Sequence, residues 1–408
     1  MVSNKVGLIF SEDYQRYNFG KEHPLRPLRL ALTYSLMEKL GLLENPRLEI
    51  ISPRICTKEE LAMVHSPEYI ETVKKLSDNP DDNSVYPFRF GLGPGDNPIF
   101  KGMYEPSALI CGGSLVAAEK VWKDDNFNVV FNFAGGLHHA VKDRASGFCI
   151  FNDIAVAIAQ LKKLQKGIRI AYLDIDAHHG DGVQWLFYDD PDVLTISYHE
   201  SGQFLFPGTG EINEQGEGKG KGFSINFPLL PGTNNKMYLK LFRKTLPRIL
   251  ESYQPDILIT QLGADTYFGD PLTQLGLSLQ IYRDIAQTIK TCAKDYCQNK
   301  WLALGGGGYL MTVVPRAWSL FLAKMLDVEI DNELPGSWIE EVKQKVRNEN
   351  KPYTLWDRDD KSELELLANP EIAKKMIEYI NSLIIVCEEK FLPPLKELLR
   401  EFKSWGLK

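Results

Sequence analysis

Short apolar runs alternate with helix-period segments along most of this chain, and nearly every run ends in polar side chains. Residues 6–10, 128–133, 168–174, 193–198, 256–261 and 301–304 read as strands. Residues 25–43, 152–164, 279–297 and 315–325 carry apolar side chains at helical spacing. Strands alternating with amphipathic helices predict a central, mainly parallel sheet with helices on both faces. With 408 residues, 44% of them hydrophobic, the chain can bury a large core, and an α/β unit of this length often stays one domain. We divide it into a main α/β domain over 1–325 and a C-terminal part over 326–408. In the latter, a polar linker precedes a final helix over about 370–402. Irregular apolar spacing and Pro393-Pro394 argue against a coiled coil and for an appendage packed on the main domain.

Composition narrows the function class. A net charge of −7 argues against direct nucleic-acid binding, which calls for a basic face. The six cysteines form no C-x-x-C pair, so they read as buried free thiols of a reducing, cytoplasmic compartment. Residues 1–10 meet Ser11-Glu-Asp too early for a signal peptide. No apolar run approaches the roughly 18 residues of a membrane span.

Open α/β sheets bind ligands beyond the carboxyl ends of their strands. The chemistry-bearing residues of this chain gather there. After 133 comes Ala-Gly-Gly-Leu-His138-His139. After 173 comes Asp174-Ile-Asp176-Ala-His178-His179-Gly-Asp181. His199 follows 198, with Phe206-Pro-Gly-Thr-Gly210 shortly after. Leu-Gly-Ala-Asp265 follows 261, and Gly305–Gly308 leads to Tyr309. Asp176 and His178, two apart, point the same way in extended chain. With Asp265 they would give one metal three protein ligands and leave a position open, as in catalytic zinc sites. His138 and His139 come from another strand and could move protons opposite the metal, given carboxylates behind them; Asp174 and Asp181 are the spare ones. Tyr309 could donate to a developing oxyanion. Together these parts spell metal-assisted hydrolysis of an amide.

Two patterns are set aside. Gly216–Gly222 ends without the Lys-Ser/Thr of a phosphate-binding loop and leads into a strand, so it reads as a hairpin turn. A two-metal site would need carboxylates at Gly180 and near Tyr267, which favours one metal.

At this point the chain resembles the zinc-dependent histone deacetylase superfamily, specifically its bacterial and archaeal acetoin-utilisation branch. The matching strings, in family order over about 5–320, are His23-Pro-Leu-Arg-Pro-Leu-Arg29, Gly135-Gly-Leu-His-His-Ala140, Arg144-Ala-Ser-Gly-Phe-Cys149, Asp174 to Gly182, Phe206 to Gly210, Gln261 to Asp265 and Leu304 to Tyr309. The resemblance implies an arginase/deacetylase-like three-layer α/β fold. It also implies hydrolysis of N6-acetyl-lysine in proteins to lysine and acetate through a zinc-bound water, with ferrous iron as the alternative metal. It places the metal on Asp176, His178 and Asp265. It makes His139 the general base and then acid, with His138 as electrostatic helper, and Tyr309 the oxyanion donor. It puts Asp174 behind His138 and Asp181 behind His139; the alternative for Asp181 is a helix N-cap. Phe148, Phe206 and Gly147 would line the lysine tunnel, with Leu272 and Asp96 at its rim and Arg29 at an acetate exit. A structural potassium would sit on Asp174 and Ser197. The competing expectations are a small-molecule deacetylase of the acetylpolyamine type, a non-catalytic acyl-lysine binder, and a binuclear ureohydrolase. No membrane partner is expected, and the oligomeric state is left open.

Overall fold

The structure, a computed structural model, describes residues 4–82, 84–347, 349–350, 352–357 and 369–404. Among the described residues, eight strands form one sheet: β1 Lys5–Ile9, β2 Leu48–Ile51, β3 Phe127–Asn132, β4 Ile170–Asp174, β5 Val193–Glu200, β6 Ser224–Leu229, β7 Ile257–Gln261 and β8 Trp301–Leu304. Their order is β2-β1-β3-β8-β7-β4-β5-β6, and every pairing is parallel. Every residue of β4 to β8 is buried. Both sheet faces are therefore covered, which is why these strands read as continuous apolar runs rather than alternating ones.

Register brings the strand ends level. Asp174 at the end of β4 stands beside Ser197 on β5 and Gln261 on β7. Gln261 pairs with Leu304 of β8, and Leu304 with Asn132 of β3. The loops leaving these strands thus open on one side of the sheet, and they carry the His, Asp, Phe and Tyr residues singled out from sequence.

Three local expectations need correction. β5 runs to Glu200, so His199 lies inside the strand rather than after it. Residues 216–222 do not form a hairpin: β5 and β6 are parallel, so this glycine-rich stretch belongs to a crossover, with a 3-10 turn at Gly218–Gly220. Pro393 and Pro394 do not interrupt the terminal helix. A π turn at Cys387–Phe391 joins Pro370–Val386 to Leu392–Ser404, and the prolines fall in the first turn after it, where a missing N–H is tolerated.

The two sheet edges are handled differently. β2, missed in the sequence, is four residues long and partly exposed. Its Glu49 carboxylate meets Lys5 at 2.8 Å, and such charges discourage edge pairing. β6 is covered by the C-terminal helices: Tyr379 donates to the Pro228 carbonyl at 2.7 Å, and the Phe391 and Phe227 rings lie 5.7 Å apart. Part of the expected polar linker is also packed. Helix Gly336–Lys345 buries Trp338 against helix Leu28–Lys39, and its indole N–H donates to the Leu32 carbonyl at 3.0 Å. The linker residues 358–368 lie outside the described residues. All six cysteines are buried and free. Among the described residues, no helix is long and apolar enough to cross a membrane.

Candidate metal and proton-transfer site

Asp176, His178 and Asp265 converge at the strand ends, all buried. His178 Nδ1 lies 3.0 Å from both Asp176 Oδ1 and Asp265 Oδ2. The other oxygen of each carboxylate is occupied. Asp176 Oδ2 accepts from Gln261 Nε2 at 2.5 Å and the Gly307 N–H at 2.8 Å. Asp265 Oδ1 accepts from the Ala177 N–H at 2.8 Å. One free face per ligand is thus turned to a common point. Burial alone would lower the basicity of His178, but hydrogen bonds to Asp176 and Asp265 carry it up to about 10. Burial, followed by the charge of Asp176, raises Asp265 to about 7. Two buried carboxylates crowded on one imidazole carry excess negative charge that a cation would offset. Two oxygens and a nitrogen form a donor set suited to a divalent metal, so the triad could hold one.

The imidazole dyad sits beside this cluster. His138 Nδ1 meets Asp174 Oδ2 at 2.8 Å, and His139 Nδ1 meets Asp181 Oδ1 at 2.7 Å. Carboxylates only accept, so both Nδ1 atoms carry hydrogen. The two Nε2 atoms are 3.0 Å apart. Burial opposes charge on His138, yet Asp174 and Asp176 overcome it and raise the ring to about 9. Burial and the charge of His138 lower His139 to about 4. His138 is therefore the more basic ring of the two and His139 the less basic, and the 3.0 Å contact between their Nε2 atoms is bridged by one hydrogen.

Asp181 makes no helix cap. It opens helix Asp181–Leu186 behind an N-cap at Gly180 that has no side-chain cap bond. At Gly180 a Cβ would sit 2.2 Å from Asp174 Oδ2, so no larger side chain fits where a second metal would want a carboxylate. The second tandem pair splits. His178 joins the ligand cluster, whereas His179 turns to Thr209 Oγ1 at 2.8 Å and Gln184 Oε1 at 3.2 Å. His199 is likewise structural, bonded to Ser197 Oγ at 2.8 Å and the Gly210 carbonyl at 3.0 Å.

The remaining candidates surround this centre. The Phe206 ring lies 5.1 Å from His139 and 6.5 Å from His178, and it is 44% exposed. The Phe148 ring lies 5.7 Å from Tyr309, edge-on. Tyr309 is in turn 6.4 Å from His178. Gly147 has φ +49°, and a Cβ there would sit 2.3 Å from His139 Cδ2; only glycine lets the chain pass this close to the imidazole. Phe148 follows with φ 69°, a conformation an aromatic residue rarely adopts. Asp96 is exposed and, with Gly147, lines a cavity of about 540 Å3. Leu272 is half-buried. Arg29 is buried and donates to the carbonyls of Gly306 at 2.6 Å and Gly308 at 3.2 Å, so it braces the glycine loop before Tyr309. Asp174 and Ser197 are cross-strand neighbours. Asp174 Oδ1 accepts the Asp176 N–H at 3.0 Å.

Sequence reasoning assigned no role to three supporting groups. Gln261 holds Asp176, Tyr172 donates to Asp174 Oδ2 at 2.5 Å, and Asp270 accepts the Tyr309 N–H at 2.9 Å. Gln261 lay within a quoted string and at a strand end, which was the available signal. Tyr172 stands two residues before Asp174 on one face of β4, and that spacing was the signal.

Comparison with known proteins agrees with this geometry. Residues 23–325 match the Histone deacetylase domain. Acetoin utilization protein AcuC of Bacillus subtilis (strain 168) is 43% identical over 337 residues, covering 81% of this chain and 84% of that protein. The AcuC of Staphylococcus xylosus is 37% identical over 383 residues, covering 91% and 96%. The crystal structure of an HDAC homolog from Aquifex aeolicus is 32% identical, with a TM-score of 0.79 over 92% of this chain and 99% of that one. A crystal structure of an HDAC homolog complexed with SAHA gives a TM-score of 0.81 at 32% identity, over 93% and 100%. With its ligand triad, its carboxylate-backed imidazole dyad and a parallel sheet of matching fold, the chain belongs to the histone deacetylase family, in its acetoin-utilisation branch.

Proposed function

We propose that the protein is a metal-dependent lysine deacetylase that hydrolyses the amide of N6-acetyl-lysine in proteins to lysine and acetate. The observation that carries this reading is the meeting of three groups in one place: the Asp176–His178–Asp265 triad, His139 backed by Asp181, and the half-buried Tyr309. Zinc, or ferrous iron in its place, would be held by the triad and would supply Lewis acidity toward the amide carbonyl and the attacking water. His139, held by Asp181 at Nδ1, takes the proton of the attacking water and returns it to the leaving amine. His138, the more basic ring, stabilises negative charge nearby. The Tyr309 hydroxyl donates to the oxygen that becomes an oxyanion.

Phe148 and Phe206 grip the lysine methylenes by apolar contact, with Gly147 between them and Leu272 at the rim. Asp96 accepts backbone N–H groups of the substrate. Arg29 lies on the acetate exit. A structural potassium at Asp174 and Ser197 would stiffen the strand ends. The free thiols fit a cytoplasmic location. A non-catalytic binder is disfavoured because no ligand or proton-transfer position is lost, and a binuclear site by the lack of space at Gly180.

The test is turnover of an acetyl-lysine peptide against an acetylated polyamine by the purified protein. Preference for the peptide supports the reading. Preference for the polyamine moves it to the small-molecule class, and turnover of neither removes it.

A further inference from the structure

We propose that Asp270 is a positioning residue for the reaction: it fixes Tyr309 through the tyrosine's own backbone and couples it to the rim of the site. This inference rests on the role given to Tyr309 above. Asp270 lies in the turn after β7 and is buried, where a carboxylate is costly to keep without N–H partners. It has two. Its Oδ2 accepts the Tyr309 N–H at 2.9 Å, and its Oδ1 accepts the Leu272 N–H at 3.0 Å. One side chain therefore ties the proposed oxyanion donor to the proposed rim residue.

The surroundings make this tie consequential. Tyr309 ends a run of four glycines, which has little conformational preference of its own. Arg29 braces that run at the Gly306 and Gly308 carbonyls, which sets the loop but not the tyrosine. The ring meets Phe148 at 5.7 Å and His178 at 6.4 Å, both edge-on. The Asp270 bond is what anchors residue 309 by its own N–H. On the other side, the turn carrying Asp270 is pinned to the ligand cluster. Thr273 Oγ1 donates to the Asp265 carbonyl at 2.5 Å, and the Gln274 N–H donates to Glu200 Oε2 at 2.7 Å. Asp270 thus transmits the position of this metal-side loop to a hydroxyl that must sit at hydrogen-bond distance from a reacting oxygen. A misplacement of about 1 Å at such a group can cost roughly 100-fold in rate.

The test is a double-mutant cycle between Asp270→Asn and Tyr309→Phe, read as kcat on an acetyl-lysine peptide, with metal content and Tm recorded for each variant. Asp270→Ala serves as a second variant that removes both acceptors. Asp270→Asn is expected to lower kcat about 10- to 100-fold, with a smaller change in KM and unchanged metal content. On the Tyr309→Phe background the same substitution should change kcat less than about twofold, because the hydroxyl it positions is gone. An equal loss on both backgrounds would make Asp270 a support of the fold or of the metal ligands and overturn the proposal, as would unaltered kcat in Asp270→Asn and Asp270→Ala. Parental kcat in Tyr309→Phe alone would instead overturn the reading of the site itself, and this inference with it.

Discussion

His138 and His139 are adjacent, and each bonds a carboxylate through Nδ1, yet the two pairs differ in what else they face. The Asp174–His138 pair is enclosed: Asp174 is fully buried and also takes the Tyr172 hydroxyl, and Asp176 lies near enough to add a second negative charge. The Asp181–His139 pair lies against the half-exposed Phe206 ring instead. It also feels the positive charge of His138. The first ring is held up at about 9 and the second down at about 4. A histidine dyad is thus divided into a more basic and a less basic ring by what surrounds it, a separation that lets neighbouring groups take different roles.

That difference is open to attack. The largest effect should come from removing the proposed base. His139→Ala is expected to lower kcat by about 10²–10⁴, the range of general acid–base groups, and His138→Ala by clearly less. Steady-state kinetics of the two variants side by side would check it; a larger loss in His138→Ala would reverse the assignment.

A smaller effect should follow from Asp181→Asn. Asp181 raises His139 against burial, so its loss lowers the imidazole further and weakens it as a base. The expected result is a drop in kcat of about tenfold, in line with loss of an orienting carboxylate. The acidic limb of the pH–rate profile should move to lower pH. A limb that moves to higher pH, or not at all, would separate Asp181 from His139.

The smallest effect is expected at the wall that the Asp181–His139 pair lies against. Phe206→Ala removes apolar contact alone and should raise KM about 3- to 10-fold, the worth of about 1 kcal/mol of aromatic packing, with metal content unchanged. A large fall in kcat instead would mean that the ring also holds His139 in place.

The same contrast explains what the sequence could reveal. The reacting groups were legible because they stand at strand ends, in unusual company, as tandem imidazoles and close carboxylates. The strand positions were legible because buried parallel strands are continuous apolar runs. Which imidazole of a pair enters the site was not legible for His179, since its partners Thr209 and Gln184 are joined to it only through space. The supports Gln261 and Asp270 stayed hidden for the same reason, their partners being a distant carboxylate and a distant backbone N–H, whereas Tyr172 meets Asp174 only two residues on along β4. The crossover at 216–222 was misread because a glycine run before a strand looks local, whereas parallel pairing of β5 with β6 forces the chain to travel back along the sheet. β2 was missed because it is a four-residue edge strand, too short to show a period.

The claim beneath all of this is that His139 and Tyr309 work on a carbonyl presented at the Asp176–His178–Asp265 triad. Turnover of an acetyl-lysine peptide should be measured after chelation, with metal content verified, and again after zinc is returned. The account predicts loss of activity on removal and recovery with about one zinc per chain, the stoichiometry of a three-ligand catalytic site. Full activity in verified metal-free protein would contradict it.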